Sequence, residues 1–377
     1  MRDSVPIGSI CSLQNGRAFK PEEWSDAGTP IVRIQNLNDE SKPFNYCSFE
    51  VEPRFHIKTG DLLFSWSGTP GTSFGAFFWN RGKGFLNQHI FRVDVDESKI
   101  SKHYLRQALN AQLPLIMGQA HGGVGLQHIT KGKLESIEIR LPSLSEQQRI
   151  AAIFDQGENL RIKRREALAQ LGELQQAIFI EMFGDPATNP KGFPERRLGE
   201  IIKFEGGAQP PASTFSSEDS ADRIRLVQIR DFKSDRFKTY IPRALSKRFF
   251  EKDDVMIGRY GPPVFQILRG LSGSYNVALM KAVPRDGITK DFVFHLLKEK
   301  RLHGFVVANS ERTAGQSGVN LDLLENYPAY LPSLELQEDF SKKMAQLKRL
   351  EDAMTKSLNE SEDLFVSLQY RAFRGEL

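Results

Sequence analysis

The chain has 377 residues, 40% of them hydrophobic and 26% charged, which is enough for two or three domains that each bury a core. No uninterrupted apolar run approaches the roughly 20 residues of a transmembrane helix, so the sequence predicts no membrane span. The formal net charge of +4 is too small to diagnose a nucleic-acid partner by itself.

The positive charge is unevenly distributed. Lys and Arg exceed Asp and Glu by two in residues 1–141 and by five in residues 185–331, whereas acids are in excess by one in 142–184 and by two in 332–377. The first residues lack a secretion-signal pattern, and Cys11 and Cys47 are the only cysteines. We therefore expect a reducing, cytoplasmic environment and globular parts that carry the positive charge.

Short β-branched and aromatic runs alternate with Gly, Pro, Asn and Asp in the first part of the chain. Examples are Pro30-Ile-Val-Arg-Ile, Asp61-Leu-Leu-Phe-Ser-Trp and Ile90-Phe-Arg-Val, and such runs predict strands of a mixed sheet. Residues 102–118 then show apolar side chains near helical spacing, which predicts an amphipathic helix. Residues 291–308 are its counterpart, so the predicted fold class is α+β.

A long helix is predicted after Pro142. Ser143 with Glu146 has the form of a capping box, and Ser145 with Gln148 offers an alternative start. The helix then shows apolar positions at alternating steps of three and four, which is coiled-coil spacing: Ile150, Ile153, Gly157, Leu160, Arg164, Ala167, Leu171, Leu174 and Ile178.

This helix is expected to be long and to stop sharply. A continuous helix over residues 145–183 would measure roughly 58 Å at a rise of about 1.5 Å per residue. Gly184 and the three prolines that follow end it and form an interdomain linker.

The second half of the chain repeats the first. Leu141-Pro-Ser-Leu144 recurs as Leu331-Pro-Ser-Leu334 at an offset of 190 residues, and Gln147 recurs as Gln337. Weaker matches at offsets of 189 to 195 extend the register to the start of each half, as in Val32-Arg-Ile-Gln-Asn-Leu and Val227-Gln-Ile-Arg-Asp-Phe. A period this long predicts duplicated domains rather than a solenoid.

A second long helix repeats the spacing of the first. In both helices we call the positions at this spacing the seam, the stripe that would face a partner helix in a coiled coil. Its seam positions are Phe340, Met344, Leu347, Glu351, Met354, Leu358, Ser361, Phe365, Leu368 and Ala372. Each stripe is compatible with packing of a helix on its own domain or with pairing of the two helices. The length of the helices favours pairing.

The sequence contains no recognisable motif for catalysis. Gly261-Pro-Pro-Val-Phe and Gln209-Pro-Pro-Ala lack the leading Asn or Asp and the adjacent aromatic of an adenine methyltransferase loop. Gly68-Thr-Pro-Gly-Thr-Ser-Phe-Gly lacks the Gly-Lys-Ser/Thr ending of a P-loop. The seven histidines and two cysteines show no metal-ligand spacing, so we predict no catalytic residue, no bound cofactor and no metal site.

A duplicated α+β unit, followed each time by Leu-Pro-Ser-Leu and a helix with Gln147 or Gln337 near its start, resembles the specificity subunits of type I restriction-modification systems. The resemblance is strongest in Leu141-Pro-Ser-Leu-Ser-Glu-Gln-Gln-Arg-Ile-Ala, Ile178-Phe-Ile-Glu-Met-Phe-Gly-Asp and Leu331-Pro-Ser-Leu-Glu-Leu-Gln-Glu. One departure is that Glu335-Leu-Gln-Glu-Asp-Phe lacks the Gln-Arg-Ile of the first copy.

The resemblance implies an architecture. It implies two tandem target-recognition domains, each followed by a long helix, with the helices paired as an antiparallel coiled coil. The expected boundaries are 1–142 for the first recognition domain, 143–184 for the first spacer helix, 185–195 for a linker, 196–332 for the second domain and 333–377 for the second helix.

The resemblance also implies partners. They are double-stranded DNA, of which each domain reads one half of a bipartite site, and two modification subunits, which carry S-adenosylmethionine. Restriction subunits add ATP-driven cleavage in the family. This chain would supply recognition without catalysis.

Polar loop residues near glycines are the candidates for reading bases. In the first domain they are Trp66, Ser67, Thr69, Thr72, Asn87, Gln88, His89, His121 and Gln127, with the run Gly122-Gly-Val-Gly. In the second they are Arg259, Tyr260, Gln266, Asn276, Arg312 and Gln316. Phosphate contact or a solvated helix face are the alternatives for Lys131, Lys133, Arg161, Lys163, Arg164 and Arg165.

Two other functions stay open from the sequence. A scaffold with two peptide-binding domains would show no salt-sensitive binding to duplex DNA. A stand-alone nuclease or methyltransferase with a degenerate site would show turnover with DNA, metal and S-adenosylmethionine.

Overall fold

The structure is a computed structural model that describes residues 4–68, 74–119, 127–186, 188–313 and 316–377. The chain divides into two compact units. The first unit consists of Met1–Arg165 with Lys356–Leu377, and the second consists of Glu166–Thr355. Each long helix therefore contributes one end to each unit.

The first half of the chain begins with short strands and ends with a long helix. The strands are β1 (Ser4–Pro6), β2 (Cys11–Asn15), β3 (Thr29–Val32), β4 (Asn45–Cys47), β5 (His56–Ile57), β6 (Leu62–Ser65), β7 (Ser67–Gly68), β8 (Gly75–Phe78), β9 (Gly84–Leu86), β10 (Ile90–Val95), β11 (Gln127–His128) and β12 (Glu138–Arg140). The helices are α1 (Ile34–Asn38), α2 (Lys102–Ala111), α3 (Leu113–Gln119), α4 (Lys131–Glu135) and the long α5 (Leu144–Phe183).

The second half repeats this order. The strands are β13 (Glu195–Arg197), β14 (Ile202–Gly206), β15 (Arg223–Val227), β16 (Tyr240–Pro242), β17 (Phe249–Phe250), β18 (Val255–Gly258), β19 (Tyr260–Gly261), β20 (Gln266–Leu268), β21 (Gly273–Tyr275), β22 (Leu279–Pro284), β23 (Glu311–Thr313), β24 (Gln316–Gly318) and β25 (Pro328–Tyr330). The helices are α6 (Leu198–Ile201), α7 (Lys290–Leu297), α8 (Lys300–Ala308), α9 (Leu321–Glu325) and the long α10 (Leu334–Ala372).

Equivalent strands pair in the same order in both units, and within the described residues the second unit has one further strand, β23, beside β24. The first unit pairs β1 with β12 and β7 with β11, and it has sheets in the orders β2–β10–β6–β8 and β4–β3–β9–β5. The second unit pairs β13 with β25 and has sheets β14–β22–β18–β20, β16–β15–β21–β17 and β19–β24–β23. The predicted α+β fold with two tandem domains is confirmed.

One sheet of each unit is mixed, as the sequence predicts. β3 runs parallel to β9, and β15 runs parallel to β21 with Val227 opposite Tyr275. The other pairs in these sheets are antiparallel. Because parallel strands end at the same edge of a sheet, the segments that follow β15 and β21 leave from one edge.

The helix predicted over residues 102–118 is divided into α2 and α3. Pro114 lacks the N–H that a continuous helix would bond to residue 110, so the chain turns at Gln112. The counterpart is divided into α7 and α8, because the Glu299 carboxylate accepts hydrogen bonds from the amides of Arg301 and Leu302 and starts a new helix. The expectation of a single helix was wrong in both halves.

The two long helices pack together in an antiparallel direction, as predicted. In the first unit Phe154 lies against Phe365 with ring centroids 5.3 Å apart, and Arg164 Nη1 donates to the Ser357 carbonyl at 3.0 Å. In the second unit the rings of Phe179 and Phe340 are 5.7 Å apart. Within the first unit, residue numbers therefore rise on α5 as they fall on α10.

The predicted seam is correct for α10. For α5 it is correct at positions 150, 157, 164, 171 and 178 and lies one residue too early at the four positions between them. The side chains of Leu160 and Leu174 are 57% and 47% exposed, whereas Phe154 is fully buried. The shielded positions of α5 are those of α10 moved back by 190 residues: 150, 154, 157, 161, 164, 168, 171, 175 and 178. After Ile150 the next shielded position is therefore four residues on, at Phe154, and not three residues on, at Ile153, as predicted.

Both ends of α5 follow the local sequence. The amide of Glu146 donates to Ser143 Oγ at 3.3 Å, so Ser143 caps the helix. Gly184 has a φ of +79°, the left-handed conformation that ends helices, and the Tyr330 hydroxyl donates to its carbonyl at 2.8 Å.

Candidate nucleic-acid interface

Trp66 is the centre of a group of loop residues in the first unit. It lies between β6 and β7; its amide donates to the His89 carbonyl at 3.3 Å, and its carbonyl accepts from the Ile129 amide at 3.1 Å. The next residues extend the group, since Ser67 is opposite His128 and Gly68 is opposite Gln127 in the β7–β11 pair. The structure thus brings together three segments that are distant in the sequence, residues 66–68, His89 and residues 127–129.

Arg259 occupies the equivalent backbone position in the second unit. Its amide donates to the Ala278 carbonyl at 2.8 Å, and its carbonyl accepts from the Val319 amide at 3.0 Å. Tyr260 follows and is opposite Gly318 in the β19–β24 pair. Each unit therefore has the same arrangement of backbone hydrogen bonds around this position, which we call the backbone frame. Trp66 in the first unit and Arg259 in the second are equivalent in it.

The side chains on this frame differ in chemistry. Trp66 lies 5.5 Å from both His89 and Phe91 between ring centroids, which forms an aromatic cluster. Arg259 is half-buried and stacks over Tyr260 at 5.4 Å. No carboxylate among the described residues pairs with Arg259, so its five N–H donors stay available to a ligand.

Three candidates of the first unit carry unused hydrogen-bonding atoms. Trp66 Nε1, Gln88 Oε1 and His89 Nδ1 are shielded from solvent and have no hydrogen-bond partner among the described residues. Burial and the nearby Arg33 guanidinium lower the pKa of His89, so its imidazole is neutral at pH 7. The sequence did not identify Arg33 as a candidate. The feature that could have identified it is its positive charge within the repeated motif that begins at Val32.

The two candidate asparagines are fixed by backbone contacts. The amides of Asn87 and Asn276 donate to the carbonyls of Val32 and Val227, at 3.2 and 3.3 Å respectively. Asn87 is 7% exposed, and Asn276 Oδ1 accepts from the Ala278 amide at 3.2 Å. Both therefore shape the loop that carries His89 or Ala278.

A glycine makes this close approach possible in each unit. A Cβ atom on Gly16 would lie 2.1 Å from the Asn87 carbonyl oxygen, and one on Gly207 would lie 1.9 Å from that of Asn276. Any side chain at these positions would displace the loop.

The remaining candidates lie near these frames or outside the described residues. Gln266 is opposite Gly258, one residue before Arg259, and its Nε2 donates to the Pro263 carbonyl at 2.9 Å. Arg312 is in β23, and Gln316 is opposite Thr313 in β24. Thr69, Thr72, His121 and the glycine run 122–125 lie outside the described residues.

The arginines proposed as alternatives for phosphate contact belong to the helix pair. Arg161 stacks on Phe365 at 4.5 Å, Arg164 bonds to Ser357 and Ser361, and Arg165 pairs with Glu362. Of the other cations proposed there, Lys131 lies 3.6 Å from Glu135. These contacts inside the first unit account for the arginines without DNA.

Gln147 and Gln337 join each domain to its helix. Gln147 is fully buried; its Oε1 accepts from the Ser101 amide at 2.8 Å, and its Nε2 donates to the carbonyls of Lys99 and Pro142 at 3.2 and 2.8 Å. Gln337 makes the same three bonds, to Thr289, Gly287 and Pro332. The sequence marks these glutamines as repeat positions but does not show their contacts.

The described residues contain neither a cluster of metal ligands nor a helix suited to a membrane. Within the described ranges, no group of three or more His, Cys, Asp or Glu residues could hold a metal ion. No helix in the same ranges is long and apolar enough to cross a membrane. Cys11 and Cys47 are both buried and free.

Comparison with known proteins gives a consistent result. Residues 3–171 match the family described as type I restriction modification DNA specificity domain. The EcoBI specificity subunit of a type I restriction enzyme from Escherichia coli is 24% identical, with 99% of this chain and 85% of that protein covered.

Solved structures share the fold. The S subunit of a type I restriction-modification system from M. genitalium has a TM-score of 0.55 at 18% identity, with 98% of this chain and 95% of that chain covered. A chain from a study of complex assembly and conformational transition of the type I R-M system has a TM-score of 0.56 at 19% identity, covering 99% and 98%. Residues 3–171 are therefore similar to the DNA specificity domain of type I restriction-modification systems, and the predicted resemblance of the chain to type I specificity subunits is confirmed.

Proposed function

We propose that this chain is the sequence-specific DNA-binding subunit of a type I restriction-modification complex. Each recognition domain reads one half of a bipartite DNA site, and the paired helices set the gap between the halves and dock the modification subunits. The observation that carries the proposal is the shared backbone frame with unlike side chains, Trp66 in one unit and Arg259 in the other.

Unlike side chains on one frame predict an asymmetric site. An arginine fork can donate two hydrogen bonds to O6 and N7 of guanine, whereas an aromatic ring offers apolar contact, for instance to a thymine methyl group. Two equivalent domains with different contacts would therefore bind two different half-sites. This chain would supply no catalytic group, and S-adenosylmethionine would bind to the modification subunits.

The experiment that tests this function is a map of methylated adenines. We would co-express the chain with the adenine methyltransferase encoded beside it and compare genomes with and without the chain. We expect a bipartite, asymmetric motif with a fixed gap that disappears without the chain. If the methyltransferase methylates the same sites with and without the chain, although the two proteins are shown to assemble when both are present, the scaffold interpretation is supported instead. Turnover by the purified chain alone would support the stand-alone enzyme.

Arg259 should determine one base pair of the second half-site. In the assembled complex, Arg259→Ala should reduce discrimination at that base pair about tenfold to a hundredfold, the range expected for one bidentate contact. Arg259→Lys keeps the charge without the fork, so it should lose the same discrimination with a smaller loss of affinity. Binding to oligonucleotides with single changes in either half-site gives the measurement. Equal losses on matched and mismatched DNA would contradict the assignment.

Exposed leucines support docking of two copies of one partner. Leu160 and Leu174 on α5 are 57% and 47% exposed, and their repeat equivalents Leu350 and Leu364 on α10 are 50% and 59% exposed. Exposed apolar side chains commonly mark protein interaction sites. Their recurrence at an offset of 190 residues gives each unit one such leucine from each helix. Two equivalent surfaces fit two modification subunits.

Substitution of these leucines should remove the subunits one at a time. Leu160→Glu and Leu350→Glu should each leave one modification subunit bound, and the double variant should leave none, while the thermal stability of the free chain is kept because both side chains face solvent. Native mass spectrometry of the co-purified complex gives the count. Asn159→Glu is the matched control on the neighbouring exposed position. Retention of both subunits by the double variant would exclude this docking surface.

A further inference from the structure

The second domain has a concentration of positive charge that the first domain lacks. Residues 229–239 contain four Lys or Arg and two Asp, and residues 243–248 contain three Lys or Arg and no acid. The equivalent stretches of the first domain, 34–44 and 50–55, each contain one basic residue and two acidic residues. The duplication therefore conserved the fold of this sheet but not its charge.

Residues 229–239 and the last two residues of the second stretch, Lys247 and Arg248, meet at one edge of the β16–β15–β21–β17 sheet. Residues 229–239 follow β15, which pairs with β21 in parallel so that the two strands end side by side. Residues 247 and 248 precede β17, and Phe249 at its start is opposite Ser274 near the end of β21. Residues 229–239, Lys247 and Arg248 therefore lie at the edge from which β21 continues to Asn276 and Ala278. Arg243 lies at the opposite edge, where its amide donates to the Asp222 carbonyl.

The edge adjoins the frame that carries Arg259. The Asn276 amide donates to Val227 at the end of β15, and the Arg259 amide donates to Ala278. A Cβ on Gly258 would lie 3.3 Å from the Ile229 side chain. The basic edge and the base-reading candidates are thus neighbours within one unit.

The cations on this edge are exposed and make no close ion pairs within the described residues. Arg230, Lys233, Arg236, Lys247 and Arg248 are all exposed, and none has an ion pair within the part of the chain that the structure describes. The two aspartates of the stretch are instead paired by other side chains: Asp235 lies 2.9 Å from both Arg225 and Lys238, and Asp231 lies 3.8 Å from Arg225.

An exposed aromatic ring lies among these cations. Phe237 is 55% exposed, and the guanidinium groups of Arg230 and Arg236 lie 5.6 and 5.3 Å from its ring centroid. The ring supports the two guanidinium groups on one surface. Guanidinium groups bind phosphate oxygens in two-pronged geometry and are weakly hydrated, which suits contact with a DNA backbone.

We propose that this basic edge is an accessory phosphate-binding surface that holds the duplex beside the second half-site independently of sequence. The proposal rests on the proposed DNA-reading function and adds an asymmetry to it. The second domain contributes more of the sequence-independent affinity, and the first domain relies on its base-reading loop. Arg230, Lys233 and Arg236 are the main contacts.

The test compares two charge-matched variants in the complex with the modification subunits. Arg230→Gln, Lys233→Gln and Arg236→Gln are combined in one, and the exposed Lys20→Gln, Lys42→Gln and Lys58→Gln of the first-domain sheet in the other. We would measure affinity for DNA with an intact or a scrambled second half-site over a range of salt concentrations. Each lost phosphate contact reduces the slope of log K against log salt by about 0.9.

The second-domain variant should show a slope shallower by about 2 to 3 and an equal loss of affinity on both DNAs, with an unchanged methylation motif. The first-domain variant should keep the wild-type slope. An unchanged slope in the second-domain variant, or the same change in both variants, overturns the proposal. A loss confined to intact DNA would instead make these residues base readers. Failure of the wild-type complex to prefer intact DNA would contradict the proposed function and leave the slope comparison interpretable.

Discussion

Removing one heptad from each long helix should shorten the gap in the methylated motif by about three base pairs. The deletions are residues 161–167 of α5 and 357–363 of α10, which keep both seams in phase because seven residues span two seam steps. Each helix loses about 10 Å at 1.5 Å per residue, and B-DNA rises about 3.4 Å per base pair. The deletions also remove Arg164 together with its bonding partner Ser361.

The methylation rate should fall in the same variant, because three base pairs rotate one half-site by about a third of a helical turn. Adenine methylation mapping gives the gap, and deletion of the heptad from α5 alone is the control. That control leaves Ser361 facing a different residue and should prevent stable assembly. A motif with an unchanged gap in the double deletion would show that the helices do not set the spacing.

Truncation of either buried glutamine should destabilise the unit that contains it. Gln147→Ala leaves the Ser101 amide and the carbonyls of Lys99 and Pro142 without their partner, and each unpaired buried group costs about 1–3 kcal/mol. We expect a loss of about 4 kcal/mol, which corresponds to a fall in Tm of about 10 °C for a unit of this size. Gln337→Ala should have the same effect on the second unit.

Calorimetry with hydrogen exchange by unit gives the measurement, since two units need not unfold in one transition. Gln148→Ala is the control, because Gln148 is exposed and one residue away. Equal stability of Gln147→Ala and Gln148→Ala would show that the three hydrogen bonds do not hold the domain on its helix.

The repeat predicts most of this fold, and it also contains the information that corrects the error in the predicted seam of α5. The α10 seam is set by strong residues such as Phe340 and Met344, and moving it back by 190 residues selects Phe154 rather than Ile153. Local spacing alone could not decide, because α5 has apolar residues at both phases. The leucines at the other phase are the exposed ones.

The breaks in the two amphipathic helices differ in how far the sequence could predict them. Pro114 is visible in the sequence, and its missing N–H explains the first break. The second break depends on Glu299, which is buried at 8% exposure and caps α8. A glutamate among helix-forming residues gives no such signal until its surroundings are known.

The candidate site was predictable as a set of loops but not as a set of contacts. The sequence identifies Trp66, His89 and Arg259. Hydrogen bonds between distant segments place Trp66 and His89 on the frame of the first unit and Arg259 on the equivalent frame of the second. Sequence matches aligned Asn87 with Asn276, and the match of residues 60–64 with 253–257 extends to Trp66 and Arg259. The contacts of these two residues become visible only in the structure. Equivalent positions that recognise different bases are expected to carry different side chains.

The exchange of helix ends between the two units has a consequence for synthesis. The second unit is one continuous stretch, Glu166–Thr355, whereas the first needs Lys356–Leu377, whose Ala372 is buried in the core with Tyr104 and Phe154. A ribosome that adds about 5–20 residues per second reaches that segment roughly ten seconds or more after the first 165 residues have been made. The amino-terminal domain is thus translated first but is the last whose core can close, and until then its apolar surface is available to chaperones.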